Sequence, residues 1–323
     1  MKMSQRKRWS ATIAAAAACQ LVGCSRAGSP ASSGEAAGRW EAKAPLPTAR
    51  QEMPSALVGN SIYTPGGLDA ERAATALLEV YDVAGNRWST APPLPEGRHH
   101  PGVAAAGGRV FVIGGYVPGP FPGPASDAVF AFDPQAQSWS RGRPMPAPPA
   151  AHVSVEFDGK INSIGGVQNG SAVGTNEVYD PAQDSWRALA PMPTPREHLA
   201  AAVVGDRILV VGGRAPDNTA ALESYSPATD SWQRLPDMPT ARGGLAAAAV
   251  GGRLYAFGGE NPGVFATTEA FDPATNEWRR LADMPTPRHG AGAVAVGGTI
   301  YVIGGGVRAG FGASGANEAF TPP

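Results

Sequence analysis

The chain is expected to fold as an all-β ring of six four-stranded antiparallel blades, and three regularities of its 323 residues point there. Six tryptophans stand 26 residues ahead of six diglycines: Trp40 to Gly66, Trp88 to Gly114, Trp139 to Gly165, Trp186 to Gly212, Trp232 to Gly258 and Trp278 to Gly304. An aromatic residue precedes the next tryptophan by seven positions, at Tyr81/Trp88, Phe132/Trp139, Tyr179/Trp186, Tyr225/Trp232 and Phe271/Trp278. Length varies only between diglycine and aromatic, where the gap from the second glycine runs 14, 17, 13, 12, 12 and 15 residues. A fixed framework with one variable loop is the mark of an internal repeat.

Each unit reads as short strands and turns. Val110-Phe111-Val112-Ile113, Ile208-Leu209-Val210-Val211 and Ile300-Tyr301-Val302-Ile303 are apolar, β-branched runs stopped by Gly-Gly. Seven residues before each diglycine lies a two-residue turn such as Gly107-Gly108, Asp158-Gly159 or Gly205-Asp206, whose residues tolerate the positive φ of a tight hairpin. Small-residue strands precede these turns, at 199–204, 244–250 and 290–296. After the variable loop comes a strand that ends in most units in Tyr-Asp or Phe-Asp, then a turn and the Trp strand. Four antiparallel strands per repeat make a β-propeller blade, and the Ala/Gly/Val composition of the first strand suits the crowded axis.

The diglycine, Tyr and Trp marks over residues 40–320 resemble those of the kelch family, which implies a six-bladed β-propeller. The ends of the chain complement each other. Trp40 has no preceding Tyr strand, and Glu318-Ala319-Phe320 has no following Trp. The N-terminal strand is therefore expected to complete the C-terminal blade, leaving no free terminal blade.

Lys2, Arg6, Lys7 and Arg8, the short stretch 11–18, and Leu21-Val22-Gly23-Cys24 resemble a bacterial lipoprotein signal peptide. The expected division is a signal peptide over 1–23, a flexible tether over 24–39 that starts at lipidated Cys24, and the propeller over 40–323. Ser25 after the cysteine resembles the pattern of an outer-membrane destination, so the expected location is the bacterial cell envelope, with the membrane reached through the lipid only. Cys19 would leave with the leader, so no thiol remains for a disulfide, a nucleophile or a metal. A net charge of −1 gives no electrostatic case for nucleic acid.

Strand parity places the loops entering strand one and those joining strands two and three on one rim. That rim carries an arginine ten residues after most tryptophans, at Arg50, Arg98, Arg196, Arg242 and Arg288, with Pro149 in the third unit. A glutamate stands two before the strand-three aromatic at Glu79, Glu177, Glu223, Glu269 and Glu318, with Phe130 in the second unit. Each arginine is expected to pair with the glutamate of the preceding blade: Arg98 with Glu79, Arg196 with Glu177, Arg242 with Glu223, Arg288 with Glu269 and Arg50 with Glu318. One lost pair, Pro149 beside Phe130, would then explain both gaps. A basic ring for anionic ligands is the other reading of these arginines.

The same rim holds the ligand-face candidates Tyr116, Phe121, Arg214, Glu260, Asn261, Arg308, Phe311, His100, His152 and His198. The loop 116–127 is the longest of its class, and its four prolines limit its freedom before binding. His99 and His100 are adjacent, and neighbours on a strand face opposite ways. No Gly-x-Ser-x-Gly, His-Glu-x-x-His or phosphate-loop motif is present, and no cofactor or metal is expected. A lipid-anchored, monomeric binding or scaffolding module for an envelope protein or glycan is therefore favoured over an enzyme. The enzymatic alternative is a sugar mutarotase, because Gly258-Gly259-Glu260-Asn261-Pro262-Gly263 looks like the loop carrying the proposed catalytic carboxylate of bacterial sialic acid epimerases. The arginine that resemblance expects shortly after is absent, Val264-Phe265-Ala266 standing there.

Overall fold

A computed structural model describes residues 37–323, so the expected signal peptide, Cys24 and most of the expected tether lie outside the described residues. Six four-stranded antiparallel sheets occupy residues 56–91, 102–142, 153–188, 200–235, 246–280 and, as the sixth, 292–321 joined by 39–42. They are blades 1 to 6, and their first strands contact one another in a closed circle around a channel. Among the described residues there is no α-helix. A small extra ribbon, Val167–Gln168 with Ser171–Ala172, decorates the variable loop of blade 3.

The strand Arg39–Ala42 pairs with Asn317–Thr321 and sets Trp40 opposite Phe320, closing the ring as the complementary ends require. The contacts of the ring begin slightly ahead of residue 40. Arg39 already lies in this ladder, the Ala37 carbonyl accepts the Ala282 amide at 2.8 Å, and a Cβ at Gly38 would sit 2.4 Å from the Phe320 ring.

The seven-residue aromatic spacing has a direct cause. It brings Tyr81 opposite Trp88, Phe132 opposite Trp139, Tyr179 opposite Trp186, Tyr225 opposite Trp232 and Phe271 opposite Trp278 across the outer hairpin of each blade. With Phe320 and Trp40 these pairs have ring centroids 4.9 to 5.3 Å apart. Each indole N–H then reaches a backbone carbonyl just beyond the outer strand of the preceding blade. Trp88 donates to Ala44 at 2.8 Å, Trp139 to Pro92 at 2.9 Å, and Trp40 to Ala282 at 2.9 Å, the last across the closure. Trp186, Trp232 and Trp278 repeat the bond to Arg143, Ala190 and Pro236.

The diglycine serves the opposite end of the interface. The second glycine donates its amide to the carbonyl at the arginine position of the next blade, as in Gly67 to Arg98 (2.7 Å), Gly213 to Arg242 (3.0 Å) and, across the closure, Gly305 to Arg50 (2.8 Å). The first glycine must lie flat on that carbonyl. Gly258 has φ near 60°, and a Cβ there would meet the Arg288 oxygen at 2.2 Å, so only glycine fits.

The arginine side chains correct the expected pairing. Four of the five reach the glutamate of the blade that their loop enters: Arg50 meets Glu79 at 2.6 Å, Arg288 meets Glu318 at 2.5 Å, and Arg196 and Arg242 meet Glu223 and Glu269. The loop runs over the top of its own blade, so the guanidinium also caps carbonyls at the end of strand two. Arg50 donates to Thr64 and Gly66, and Arg196 to Val210 and Gly212. A threonine two residues before the arginine donates to the other carboxylate oxygen, as Thr194 does to Glu223 at 2.8 Å. All five arginine side chains are fully buried, so the reading as a basic ring for ligands is overturned as well. The boundary between blades is crossed by the arginine backbone instead.

Two gaps, rather than one, follow from this register. In blade 2, Phe130 replaces the glutamate, and Arg98 lies 5.3 Å above its ring. Glu96 stands where the four other arginine-bearing blades have threonine, and it supplies the missing carboxylate to Arg98 at 2.9 Å. In blade 3, Pro149 leaves Glu177 without an arginine, and burial pushes the Glu177 carboxyl above its ordinary range. Phe130 thus sits beside Arg98, and the single lost pair expected of Phe130 and Pro149 becomes two separate gaps, one in each blade.

Replacing Trp40 with Ala removes two aromatic contacts and the bond to Ala282. It is expected to cost about 3–5 kcal/mol, measured by chemical denaturation. For blade 2, Glu96→Thr is expected to cost roughly 1–3 kcal/mol because Arg98 loses its only carboxylate. Phe130→Glu should rescue that loss by restoring the arrangement of the other blades. Additive costs in the four-variant cycle would remove this account of blade 2.

Candidate functional site

The channel narrows at six positions, each two residues beyond the arginine register: Glu52, His100, Ala151, His198, Gly244 and Gly290. All six have positive φ, between 51° and 65°. Each donates its amide to the carbonyl of its counterpart in the preceding blade, at 2.7 to 3.0 Å, and Glu52 donates to Gly290. The result is a closed ring of six backbone hydrogen bonds around the axis. The left-handed backbone turns each side chain off the strand and onto the neck of the channel. It also changes the expectation for His99 and His100. With His100 at φ 52° the two rings do not face opposite ways, and their Nδ1 atoms lie 2.6 Å apart.

Above this neck opens a cavity of about 400 Å³. Its floor is Glu52, His100 and His198, with Glu197, Arg214 and Glu260 to one side, and its walls include Tyr116, Phe121 and Phe311. Blade 2 contributes His100, Tyr116, Phe121 and Pro122 to the lining. Tyr116 pairs by backbone with His99, the Pro122 carbonyl faces His99 Nε2 at 2.8 Å, and the Phe121 ring stacks on His99 while remaining 69% exposed. Phe311 is covered on one side by Arg72, 4.4 Å from its centroid.

The ionised groups form one continuous chain. Arg214 bonds Glu260 and lies 3.7 Å from Glu197. Glu260 accepts the Gly310 amide at 2.5 Å and lies 3.5 Å from His289, whose other nitrogen is 3.1 Å from Glu52. Burial alone would raise the Glu52 carboxyl, but His100, His289 and His198 outweigh it and hold the group well below the usual carboxylate range. Burial would lower His289; its contacts with Glu52 and Glu260 prevail and raise it. The other histidines go the opposite way. Burial, with the neighbouring His100, pushes His99 down to about 4, and burial pushes His152 down to about 3. His100 and His198 are also lowered, first by burial and then by nearby cations including Arg214.

Seven of the ten ligand-face candidates border this cavity: Tyr116, Phe121, His100, His198, Arg214, Glu260 and Phe311. His152 lies below the neck, buried, with no partner for either ring nitrogen. Asn261 is exposed and contributes its carbonyl to Asn218. Arg308 is exposed, and its carbonyl lies 3.1 Å from His289 Nε2. Glu52, Glu197 and His289 were not among the candidates. Glu52 shares the register of His100 and His198, two residues after the arginine, and that register was the available signal. Glu260 does bond an arginine, Arg214 of the neighbouring blade, 46 positions earlier.

A ring of kelch-type blades with a polar, aromatic-walled cavity at one mouth defines the class. The family profile described as the KLHDC2/KLHL20/DRC7 Kelch-repeats domain matches residues 35–213 and 190–305, and the chain belongs to the kelch-repeat family. No curated protein sequence matches it. Among solved structures it is similar to the structure of YjhT, with TM-score 0.74 and 17% identity over 86% of this chain and 96% of that chain. At that identity the likeness is one of fold.

Proposed function

We propose that the protein binds a carbohydrate-type ligand, such as the end of an envelope glycan, in the cavity above the neck. The observation that carries this reading is the cavity itself. It has the size of a small-molecule site, with aromatic walls and a few convergent charged groups at its base. Aromatic faces cover the apolar side of a sugar ring, and the charges bind its hydroxyl or carboxylate groups. A kelch propeller is a scaffold whose loops carry binding surfaces, and here the loops of all six blades meet over one opening.

A second reading is favoured by one contact. Glu260 lines the cavity beside Arg214, the arrangement that a sugar mutarotase with Glu260 as acid/base requires. Both Glu260 oxygens are already engaged, by Arg214 and by Gly310, so a proton-transfer role needs one of these contacts to open. Ligand observation by saturation-transfer NMR against free uronic acids, sialic acid and neutral hexoses separates the readings. Tyr116→Ala/Phe121→Ala is expected to weaken binding by roughly tenfold or more, while changes in the opposite-face turn 180–184 leave it intact. The reverse pattern places the functional face on the other side. Accelerated anomer exchange of sialic acid, lost in Glu260→Gln, would establish the enzymatic reading.

We also propose that the chain is exported and anchored through acylated Cys24 to the cell envelope, as its Leu-Val-Gly-Cys sequence supports. Cys24→Ser is expected to move the protein from the membrane to the soluble fraction, and an unchanged distribution would refute the anchor.

A further inference from the structure

Glu52, His100 and His198 come from three different blades, yet one ligand-type atom of each lies within 4.8 Å of the other two. Their hydrogen-bond partners fix where the protons are. The Pro122 carbonyl only accepts, so His99 Nε2 donates to it at 2.8 Å. In the neutral ring His99 Nδ1 is then an acceptor, and the hydrogen in its 2.6 Å contact belongs to His100 Nδ1. His100 Nε2 is left with a bare lone pair 3.3 Å from Glu52 Oε2. The Glu197 carboxylate likewise holds the hydrogen on His198 Nδ1 and leaves Nε2 bare. Two imidazole lone pairs and a carboxylate facing one another repel unless a proton or a metal cation lies between them, and one metal ion satisfies all three at once.

The carboxylate lies between histidines, with Oε1 3.1 Å from His289 Nδ1 and Oε2 3.3 Å from His100 Nε2. The space comes from Gly290, where a Cβ would sit 2.4 Å from Glu52 Oε1. From these arrangements we infer that the neck of the propeller is a two-histidine, one-carboxylate site for a divalent first-row transition metal ion, zinc foremost. Bond lengths of about 2.0–2.2 Å draw the three atoms together from their present spread. Two imidazoles with a single carboxylate select such ions over magnesium and calcium. Histidines that ligate a metal donate their other N–H to a fixed acceptor, and both rings here do so. The three residues border the outer cavity as well as the channel, so water, or an oxygen of a molecule in the cavity, completes the coordination.

The inference goes beyond the carbohydrate reading and is tested without any sugar. The full chain, prepared without a polyhistidine tag, is stripped with a chelator and dialysed against zinc. Elemental analysis is expected to find one zinc per chain, and cobalt in its place should give ligand-field absorption. Glu52→Gln keeps the shape of the side chain, and His100→Asn and His198→Asn keep a residue type that tolerates the left-handed backbone. Each is expected to weaken zinc binding by at least about 100-fold, with circular dichroism showing the fold retained. His152→Ala, below the neck, is expected to bind zinc as the wild type does. Should the histidine variants fail to fold, the isosteric Glu52→Gln decides. Zinc well below one equivalent in the wild type, unweakened binding in the folded variants, or loss in His152→Ala would each overturn the site. So would displacement of zinc by a modest excess of magnesium.

Discussion

At every blade boundary a backbone carbonyl at the arginine position accepts the amide of the preceding blade's second glycine, while two residues further on another amide returns to that blade. These bonds fix how far apart neighbouring blades stand and how they are rotated. The remaining features follow from that spacing. The first glycine has to be glycine because a carbonyl lies against it, and the small residues of the first strands fit the narrow channel that results. The arginine must hold its loop down on its own blade for its carbonyl to be in position. The guanidinium does this by binding strand-two carbonyls and a glutamate at once, which offsets the cost of burying both charges.

The same ring explains why chemistry gathers at one mouth. At the six positions of the ring the left-handed backbone lies at the axis, and the ligand-type atoms of Glu52, His100 and His198 come within 4.8 Å of one another. Most of the six would clash or repel if all were large. In the circle, glycine holds two adjacent positions and alanine a third, which leaves room for one glutamate and two histidines. Asymmetry in an otherwise repeated frame is thus concentrated in the positions where repetition would be sterically impossible.

Much of this was legible in the sequence, and the reason is periodicity. Constant spacings between Trp, Gly-Gly and the strand-three aromatic reflect constant hydrogen-bonding distances, so counting recovers strands, blades and the closure by Trp40. The Arg–Glu partnership was legible as a correlation but its direction was not. Both possible registers place an arginine beside a glutamate, and only the path of the loop over its own blade selects Glu223 rather than Glu177 for Arg196. The cavity was hardest to read because it is assembled across blades. Arg214 meets Glu260 from the neighbouring blade, and the facing of His100 depends on a left-handed backbone that no local motif announces.

The closure also has a mechanical character. Arg39 lies opposite Thr321 and Ala42 opposite Glu318, so both ends of the propeller leave their shared ladder at the same side. Tension that separates the two ends therefore loads one pair at a time, starting with Arg39 and Thr321, instead of shearing the four pairs together. Heat must disrupt the Trp40 contacts and the ladder in concert, whereas a steady pull can open them in sequence. A ring sealed in this way is robust to temperature and compliant to force.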